Sequence, residues 1–289
     1  MNSFTQDLVD WIEKHLEGKL TIDDVAAKAG YSKWHLQRMF REDTGFQLAS
    51  YIRYRKLHKA ALILKMTAMP AVEISDLLGF SSQQTFTRAF TRHFGIAPGK
   101  YRATHDWHFR GMVGKATHDL LPVPEPEIVT QGPEFIHGTG LSYYCDHNEL
   151  EDIDYHCRQR LQIIQQVLSM QKGLLHSCVA EDFEPDPRSG KIRFTLTFKQ
   201  SLQDHELRQD RAGSFLRFRF SGTQQQFVDM QASIYQNVMP FRPEARRAGQ
   251  DVFISQQSCP PDQPLPDTFS GCYYIPVSAV IPPAGENYR

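Results

Sequence analysis

The first 105 residues contain an internal repeat with a period of 50 residues. The matched positions are Ser32, Leu36, Arg38, Phe40, Gly45 and Tyr51 in the first copy and Ser82, Phe86, Arg88, Phe90, Gly95 and Tyr101 in the second. Each copy therefore has a serine that favours a helix start and a glycine that favours a helix end. Because all of these positions share one offset, the repeat predicts two copies of one helical unit.

Each copy is predicted to contain a helix with two opposite stripes of side chains, over about residues 33–44 and 82–94. The apolar stripes, which we expect to be buried, are Leu36, Met39 and Phe40 in the first helix and Phe86, Ala89 and Phe90 in the second. The opposite stripes are Trp34, Gln37, Arg38 and Arg41 in the first helix and Gln84, Thr87, Arg88 and Thr91 in the second. A short helix and a tight turn precede each of these two helices, and a longer helix over about 47–66 connects the copies. The first domain is thus predicted to be all-α.

The outward stripes have the chemistry needed to contact base edges in the major groove. Arginine can pair with guanine O6 and N7, and glutamine can pair with adenine N6 and N7. The alternative is an ordinary solvated polar face, which a single helix would favour. Two stripes in register favour DNA recognition. A large aromatic side chain that points outward usually covers another surface, so Trp34 fits this prediction. Packing within its own domain is an alternative for that residue.

The helix that connects the copies indicates how one chain could use both stripes. About 20 residues of helix span roughly 30 Å, which is close to the roughly 34 Å between successive major-groove faces on one side of DNA. One protein molecule could therefore bind two adjacent grooves. Because the two stripes differ in sequence, we expect the preferred DNA site to be asymmetric.

Charge is divided unevenly along the chain, whose formal net charge is -1. Residues 1–110 contain 16 Lys and Arg against 11 Asp and Glu (+5), and the remainder contains 16 against 22 (-6). This asymmetry favours a nucleic-acid-binding module joined to a domain with another partner. The candidate phosphate contacts are Lys33, Arg41, Arg53, Arg55, Lys56 and Arg92.

Prolines at 122, 124 and 126 predict an extended linker. We assign 1–108 to the first domain, 109–127 to the linker and 128–289 to the second domain. In the second domain, apolar and polar residues alternate as in a strand over 192–199 and 216–220. Further strands are predicted near 134–144, 174–181, 251–257 and 270–278. Two amphipathic helices are predicted between these strands, near 150–168 and 223–238. The order predicts an α+β domain of two similar strand-helix-strand-strand halves.

Four segments of the first domain resemble the AraC/XylS family of transcription activators. They are AAKAGYSKWHLQRMF (26–40), YIRYRKL (51–57), GFSSQQTFTRAF (79–90) and FGIAPGKYR (94–102). The resemblance implies a monomeric seven-helix unit with two helix-turn-helix motifs and an activator that recruits RNA polymerase. The base contacts that it implies are Trp34, Gln37 and Arg38 from the first motif and Gln83, Gln84, Thr85, Thr87 and Arg88 from the second.

Over 125–289 the chain is more loosely similar to the GyrI-like small-molecule-binding fold. That resemblance implies two related halves around a cleft for an amphipathic or aromatic ligand, often with a buried carboxylate. The candidate pocket residues are Tyr143, Tyr144, Glu181, Phe218, Phe220 and Tyr273, for most of which core packing is the alternative. Glu181 and the neighbouring Asp182 end a predicted strand, where surface acids are equally compatible with the pattern.

Together these patterns predict a DNA-binding regulator of stress or multidrug-resistance genes, with a second domain that senses a small ligand or a partner. The alternatives are a DNA-tethered enzyme with a hydrolase-like second domain and a constitutive DNA-coating protein. We predict no catalysis, because no cysteine stands in a Pro-Cys-His signature and His156-Cys157 lies within a predicted helix.

The remaining composition predicts no cofactor and a cytoplasmic location. The five cysteines form an odd set without CxxC pairing, which argues against disulfides and zinc, so we expect reduced and mostly buried thiols. The N-terminus has no signal-peptide pattern, and no run of about 20 apolar residues occurs. We therefore expect a bacterial cytoplasmic protein that associates with the nucleoid and not with the membrane.

Overall fold

The computed structural model describes residues 1–116, 123–130, 132–133, 136–170, 178–186, 188–199, 213–255 and 267–278. The chain divides into two compact units. The first comprises Met1–Thr104, the described part of Phe109–Leu120, and a short 3-10 turn at Met239–Phe241. The second comprises His105–His108 and the other described residues from 123 onward.

Seven helices form the described part of the first unit. They are α1 (Ser3–Lys14), α2 (Ile22–Ala29), α3 (Lys33–Thr44), α4 (Leu48–Met66), α5 (Ala71–Leu77), α6 (Gln83–Phe94) and α7 (Pro98–Ala103). The two predicted repeat helices are α3 and α6, whose bounds differ by the predicted offset of 50 residues. The predicted helical domain with two helix-turn-helix motifs, α2–α3 and α5–α6, is confirmed.

Matching caps explain why α3 and α6 begin and end at equivalent positions. The Ser32 hydroxyl accepts the backbone N–H of His35, and the Ser82 hydroxyl accepts that of Thr85 at 3.1 Å. At the other ends, Gly45 and Gly95 adopt φ angles of 76° and 73°, a left-handed conformation that side chains with a Cβ resist. Local sequence chemistry thus sets both bounds of each repeated helix.

The repeat extends to the packing of the core. Phe40 of α3 lies 5.3 Å from Tyr51 of α4, measured between ring centroids, and Phe90 of α6 lies 5.3 Å from Tyr101 of α7. These four side chains are buried, as are Leu36 and Phe86 in the same stripes. The same aromatic pair therefore anchors each of the repeated helices, α3 and α6, to the helix that follows it.

The segment 109–116, which the sequence assigns to the linker, packs against the helices of the first unit. The carbonyl of Val113 accepts from Arg55 at 2.6 Å, the carbonyl of Gly111 accepts from His93 at 2.6 Å, and the N–H of Ala116 donates to the Tyr51 hydroxyl at 3.1 Å. The linker boundary at 109 is therefore corrected for this segment. The sequence pattern missed it because these partners are distant in sequence and most of the bonds use backbone atoms of the segment. Pro122, one of the prolines that predicted the linker, lies outside the described residues.

The second unit contains an antiparallel sheet with two main helices on one face. Its strands are β1 (Glu127–Val129), β2 (Thr139–Cys145), β3 (Cys178–Pro185), β4 (Ile192–Lys199), β5 (Ser214–Gly222), β6 (Asp251–Ser255) and β7 (Phe269–Val277), in the sheet order β1-β5-β7-β6-β3-β4-β2. The helices are α8 (Ile153–Met170) and α9 (Gln224–Ser233), and a π-helical turn (Ile234–Val238) follows α9. The predicted α+β character of the second domain is confirmed at this level.

The core of the second unit forms where α8 packs on the sheet. Ile163, Ile164 and Val167 of α8 form one buried cluster with Tyr143 of β2 and with Leu196 and Phe198 of β4. Alternation along the strands places the side chains of Tyr143 and Leu196 on one face. The four described cysteines, Cys145, Cys157, Cys178 and Cys272, are free thiols and buried, as the sequence predicts, and Cys259 lies outside the described residues.

Candidate nucleic-acid interface

The residues predicted to contact bases lie on the solvent-facing sides of α3 and α6. Seven of them are exposed, namely Trp34, Gln37, Arg38, Gln83, Gln84, Thr85 and Arg88, and Thr87 is half-buried. Trp34 is 70% exposed, so its indole does not pack into the core of its own unit. Both helices thus present polar side chains, and α3 adds one large aromatic, on a surface that a major groove could cover.

Arg38 is oriented by its neighbours on α3. Its Nε donates to a carboxylate oxygen of Glu42 at 2.8 Å, and its guanidinium carbon lies 5.8 Å from the centroid of the Trp34 ring. The hydrogen bond and the charge of Glu42 raise the pKa of Arg38 above its ordinary value. Since both side chains of this ion pair are mostly exposed, the pair orients the guanidinium and contributes little to stability.

The start of α6 is organised by hydroxyl groups. The Thr85 hydroxyl lies 3.0 Å from the Ser82 hydroxyl and accepts from the Ser81 hydroxyl at 3.1 Å. These contacts leave the side chains of Gln83 and Gln84 projecting from the first turn, where a recognition helix contacts base edges. Arg88 lies one turn further along the same face.

Two of the six predicted phosphate contacts are contradicted by the structure. Arg55 is 1% exposed, and its Nε and Nη2 donate to the carboxylate of Glu13 on α1 while its Nη1 donates to the carbonyl of Val113. The Tyr51 hydroxyl donates to the same carboxylate at 2.7 Å. Because its guanidinium is buried and its described bonds are made inside the unit, Arg55 is a structural residue and not a phosphate ligand.

Lys56 is the second correction. Its side chain is 6% exposed, and its Nζ donates to the carbonyl of Gly18 at 2.6 Å and to the carbonyl of Leu78 at 2.7 Å. Burial lowers the pKa of Lys56 to about 8. The sequence could not exclude these two residues, because α4 is packed on most of its sides and its buried cations follow no stripe.

The other four predicted phosphate contacts are exposed. They are Lys33, Arg41, Arg53 and Arg92. Lys33 forms an ion pair with Asp23 of α2, which a phosphate would have to replace. The guanidinium carbon of Arg53 lies 5.5 Å from the centroid of the Tyr54 ring. The cationic surface available to DNA is therefore smaller than the charge count of residues 1–110 indicates.

The candidate pocket residues of the second unit do not share one environment. Five of them, Tyr143, Glu181, Phe218, Phe220 and Tyr273, lie on the sheet face that carries α8, whereas Tyr144 lies on the opposite face and is exposed. The structure therefore separates Tyr144 from the others, since successive residues of a strand point to opposite faces. Phe218 and Tyr273 are fully or nearly fully buried and belong to the core.

Glu181 is a mostly buried carboxylate on this face, with 15% of its side chain exposed. It forms an ion pair with Arg160 of α8 and accepts a hydrogen bond of 2.9 Å from the amide of Gln231 on α9. Burial alone would raise the pKa of Glu181, but the charge and hydrogen bond of Arg160, with Gln231, lower it below its ordinary value. Tyr143 lies in the same cluster, with its hydroxyl 2.8 Å from Nδ1 of His156.

A second carboxylate on this face, Asp251, is buried and is not among the residues that the sequence predicts for the pocket. It stands directly opposite Glu181 in the register of β3 and β6. Asp251 accepts from Arg246 at 3.0 Å and from Tyr273 at 2.8 Å, and the Tyr235 hydroxyl also donates to it. Burial raises the pKa of Asp251 despite these partners. No sequence periodicity marks this cluster, because its members come from separate elements. Asp251 begins β6, Tyr273 lies in the middle of β7, Tyr235 is in the π-helical turn and Arg246 forms isolated bridges.

Within the described ranges, neither a metal-binding cluster of His, Cys, Asp and Glu nor a helix suited to crossing a bilayer is present. The chain's similarity to known proteins is strong in both sequence and extent. Residues 25–104 match a family described as a helix-turn-helix domain. The chain is 32% identical over 273 residues to the transcriptional regulator Rob of Salmonella typhimurium, a match that covers 90% of this chain and 93% of that protein.

Two further relatives match different lengths of this chain. The right origin-binding protein of Escherichia coli K12 is 32% identical over 257 residues, which cover 86% of this chain and 88% of that protein. The multiple antibiotic resistance protein MarA of Salmonella typhimurium is 47% identical over 98 residues, which cover 34% of this chain and 77% of that protein. The similarity to Rob and to the right origin-binding protein thus includes most of this chain, whereas that to MarA is restricted to about a third of it.

Proposed function

The chain belongs to the AraC/XylS family of transcription regulators, in the branch that includes MarA and Rob, and from this premise we propose that it activates transcription from an asymmetric DNA site. A single molecule places α3 and α6 in two adjacent major grooves and recruits RNA polymerase. The observation that carries this proposal is the pair of exposed stripes on α3 and α6, which begin and end at equivalent caps.

In this proposal the base contacts are Trp34, Gln37 and Arg38 from α3 and Gln83, Gln84, Thr85, Thr87 and Arg88 from α6. Lys33, Arg41, Arg53 and Arg92 contact phosphates, which position the protein without selecting a sequence. The exposure of these side chains supports the assignment, although Thr87 is half-buried. The regulated genes are those of stress or multidrug resistance, and the protein acts on the nucleoid in the cytoplasm.

The direct test is selection of bound sequences from random duplexes, followed by footprinting of the selected site. We expect an asymmetric sequence with two protected patches about one helical turn apart for each monomer. A single short patch, or a palindromic site bound by two molecules, would contradict the proposal. Selection also provides the DNA needed for the mutational tests below.

We further propose that residues 128–289 form a GyrI-like domain that binds a small amphipathic ligand and does not catalyse a reaction. The element order supports it, since β2-α8-β3-β4 is followed by β5-α9-β6-β7, and the sheet order β2-β4-β3 in one half corresponds to β5-β7-β6 in the other. Glu181 and Asp251 face each other where β3 and β6 join the halves. Among the five candidates on the face that carries α8, Phe220 and Glu181 are less completely buried than Phe218 and Tyr273, so a ligand can reach them more easily.

Ligand binding is tested by titrating the full-length protein with a panel of cationic, neutral and anionic amphiphiles and measuring the melting temperature. A ligand that binds the native state raises that temperature, by an amount that grows with the logarithm of the ratio of ligand concentration to Kd. Binding should be lost in Glu181→Gln and retained in Tyr144→Ala, because Tyr144 lies on the other face of the sheet. An unchanged melting temperature across the panel would contradict ligand sensing, and turnover of an ester panel would favour a hydrolase instead.

A further inference from the structure

The segment that leads into the first helix-turn-helix motif contacts the second motif through backbone atoms. Gly18, which lies between α1 and α2, donates its N–H to the carbonyl of Leu77 at the end of α5 at a distance of 2.7 Å. Gly79, in the turn between α5 and α6, adopts a φ angle of 67°, and a Cβ atom at this position would overlap the carbonyl of Gly18. The segment before the first motif and the turn of the second motif are thus in direct contact.

Lys56 of α4, the helix that connects the motifs, stabilises this contact. Its ammonium donates to the carbonyl of Gly18 at 2.6 Å and to that of Leu78, the residue that ends α5, at 2.7 Å. A single buried cation therefore holds one backbone group from the first motif's entry and one from the second motif's turn. Hydrogen bonds from a charged donor are stronger than those between neutral groups.

A second cation on the same helix makes a different connection. Lys59 donates to Glu17 at 2.7 Å, and Glu17 lies just after α1 on the side of the first motif. Removal of Lys59 would loosen α4 from that end of the unit. Removal of Lys56 would instead release the segment before the first motif from the turn of the second motif.

We propose that Lys56 is a specificity-determining residue, which selects the spacing between the two halves of the DNA site by fixing α3 relative to α6. The proposal rests on the proposed function, in which both helices bind one duplex. One inserted base pair moves one half-site by about 3.4 Å along the duplex axis and rotates it by roughly 35°. Only a protein whose recognition helices are rigidly connected can reject such a change.

The test measures the affinity of the full-length protein for the selected site and for derivatives with one base pair inserted or deleted between the halves. The affinity of wild-type protein for the derivatives should be lower by about tenfold or more, the effect expected when one base contact is lost. Lys56→Met should bind the three sites within about threefold of one another. Lys59→Met, the matched control, should retain the wild-type discrimination.

The proposal is overturned if Lys56→Met loses affinity equally on all spacings and keeps the wild-type ratio, because Lys56 would then act only on stability. Lys56→Gln is the second variant in case the methionine variant does not fold, since its amide retains donors but is too short to reach both carbonyls. Affinity for a single half-site should be unchanged in either variant. If wild-type protein shows no spacing preference while binding its selected site, the two-groove model itself fails, and the role of Lys56 fails with it.

Discussion

Arg38 donates its Nε–H to Glu42, one turn later on α3, whereas the residue 50 positions after Glu42 is Arg92. The equivalent arginines Arg38 and Arg88 therefore have neighbours of opposite charge four residues later in their helices. Arg38 is held by a carboxylate, while Arg88 is followed by a second cation. In the proposed complex we therefore expect α3 to hold its arginine in a fixed orientation and α6 to attract the phosphate backbone more strongly.

Replacement of Glu42 by Gln should raise affinity for random duplex DNA and reduce the ratio of specific to non-specific binding by several-fold. The carboxylate repels phosphates and also orients Arg38, so its loss strengthens non-specific attraction and weakens directed recognition. Both affinities are measured by fluorescence anisotropy at fixed salt. Arg92→Gln is the comparison, because its loss should weaken all sequences alike and reduce the salt slope by about 0.9. An unchanged ratio in Glu42→Gln would show that Arg38 needs no orientation by this carboxylate.

Truncation of either matched arginine should relax preference at one base position. Arg38→Ala and Arg88→Ala should each cost about 1–3 kcal/mol on the selected site, and little on random DNA, because a bidentate contact to one base is lost. Competition against a set of single-base variants locates the affected position. The two substitutions should affect different halves of the site. Equal losses on selected and random DNA would mean that these side chains contact phosphates only.

Arg53 and Arg55, two positions apart on α4, should respond to substitution in opposite ways. Arg55→Met leaves Glu13 without its buried cation, so unfolding should become easier by about 3 kcal/mol in urea titrations. Arg53→Met should leave the unfolding free energy within about 0.5 kcal/mol of wild type and weaken binding to all DNA sequences. A large loss of DNA affinity in a folded Arg55→Met protein, without loss of stability, would restore Arg55 as a phosphate contact.

Local chemistry explains why the sequence predicts the recognition helices so closely. Ser82 and Gly95 act within a few residues of the helix ends that they determine, so their effect is visible in the sequence alone. The outward positions of Gln84 and Arg88 follow from the same helix and its apolar stripe. The alternating strands of the second unit are recognisable for the corresponding reason, since their period of two is a local property.

The failures concern side chains whose partners are far apart in sequence. Lys56 binds carbonyls 38 and 22 residues away, and a cation on a helix surrounded by packed neighbours has the same sequence pattern as one that faces solvent. Asp251 and Glu181 become neighbours only through the register of β6 and β3. Their environments depend on strand pairing, which residue periodicity alone does not determine.

Glu181 should make the stability of the second unit depend on pH in the acidic range. Its pKa in the folded protein is lowered from 4.5, so its stabilising contribution is complete above about pH 4.5 and is lost as the pH falls through the lower folded value. In Glu181→Gln, Arg160 is left buried without its anion, which should cost about 3 kcal/mol at pH 7. Urea unfolding of wild type and Glu181→Gln between pH 7 and pH 3 should show this difference shrinking only below about pH 4.5. Glu184→Gln, on the exposed face of the same strand and paired with Arg193, should show a small difference at every pH. If the Glu181→Gln difference were constant down to pH 3, Glu181 would not be the carboxylate that balances the buried Arg160.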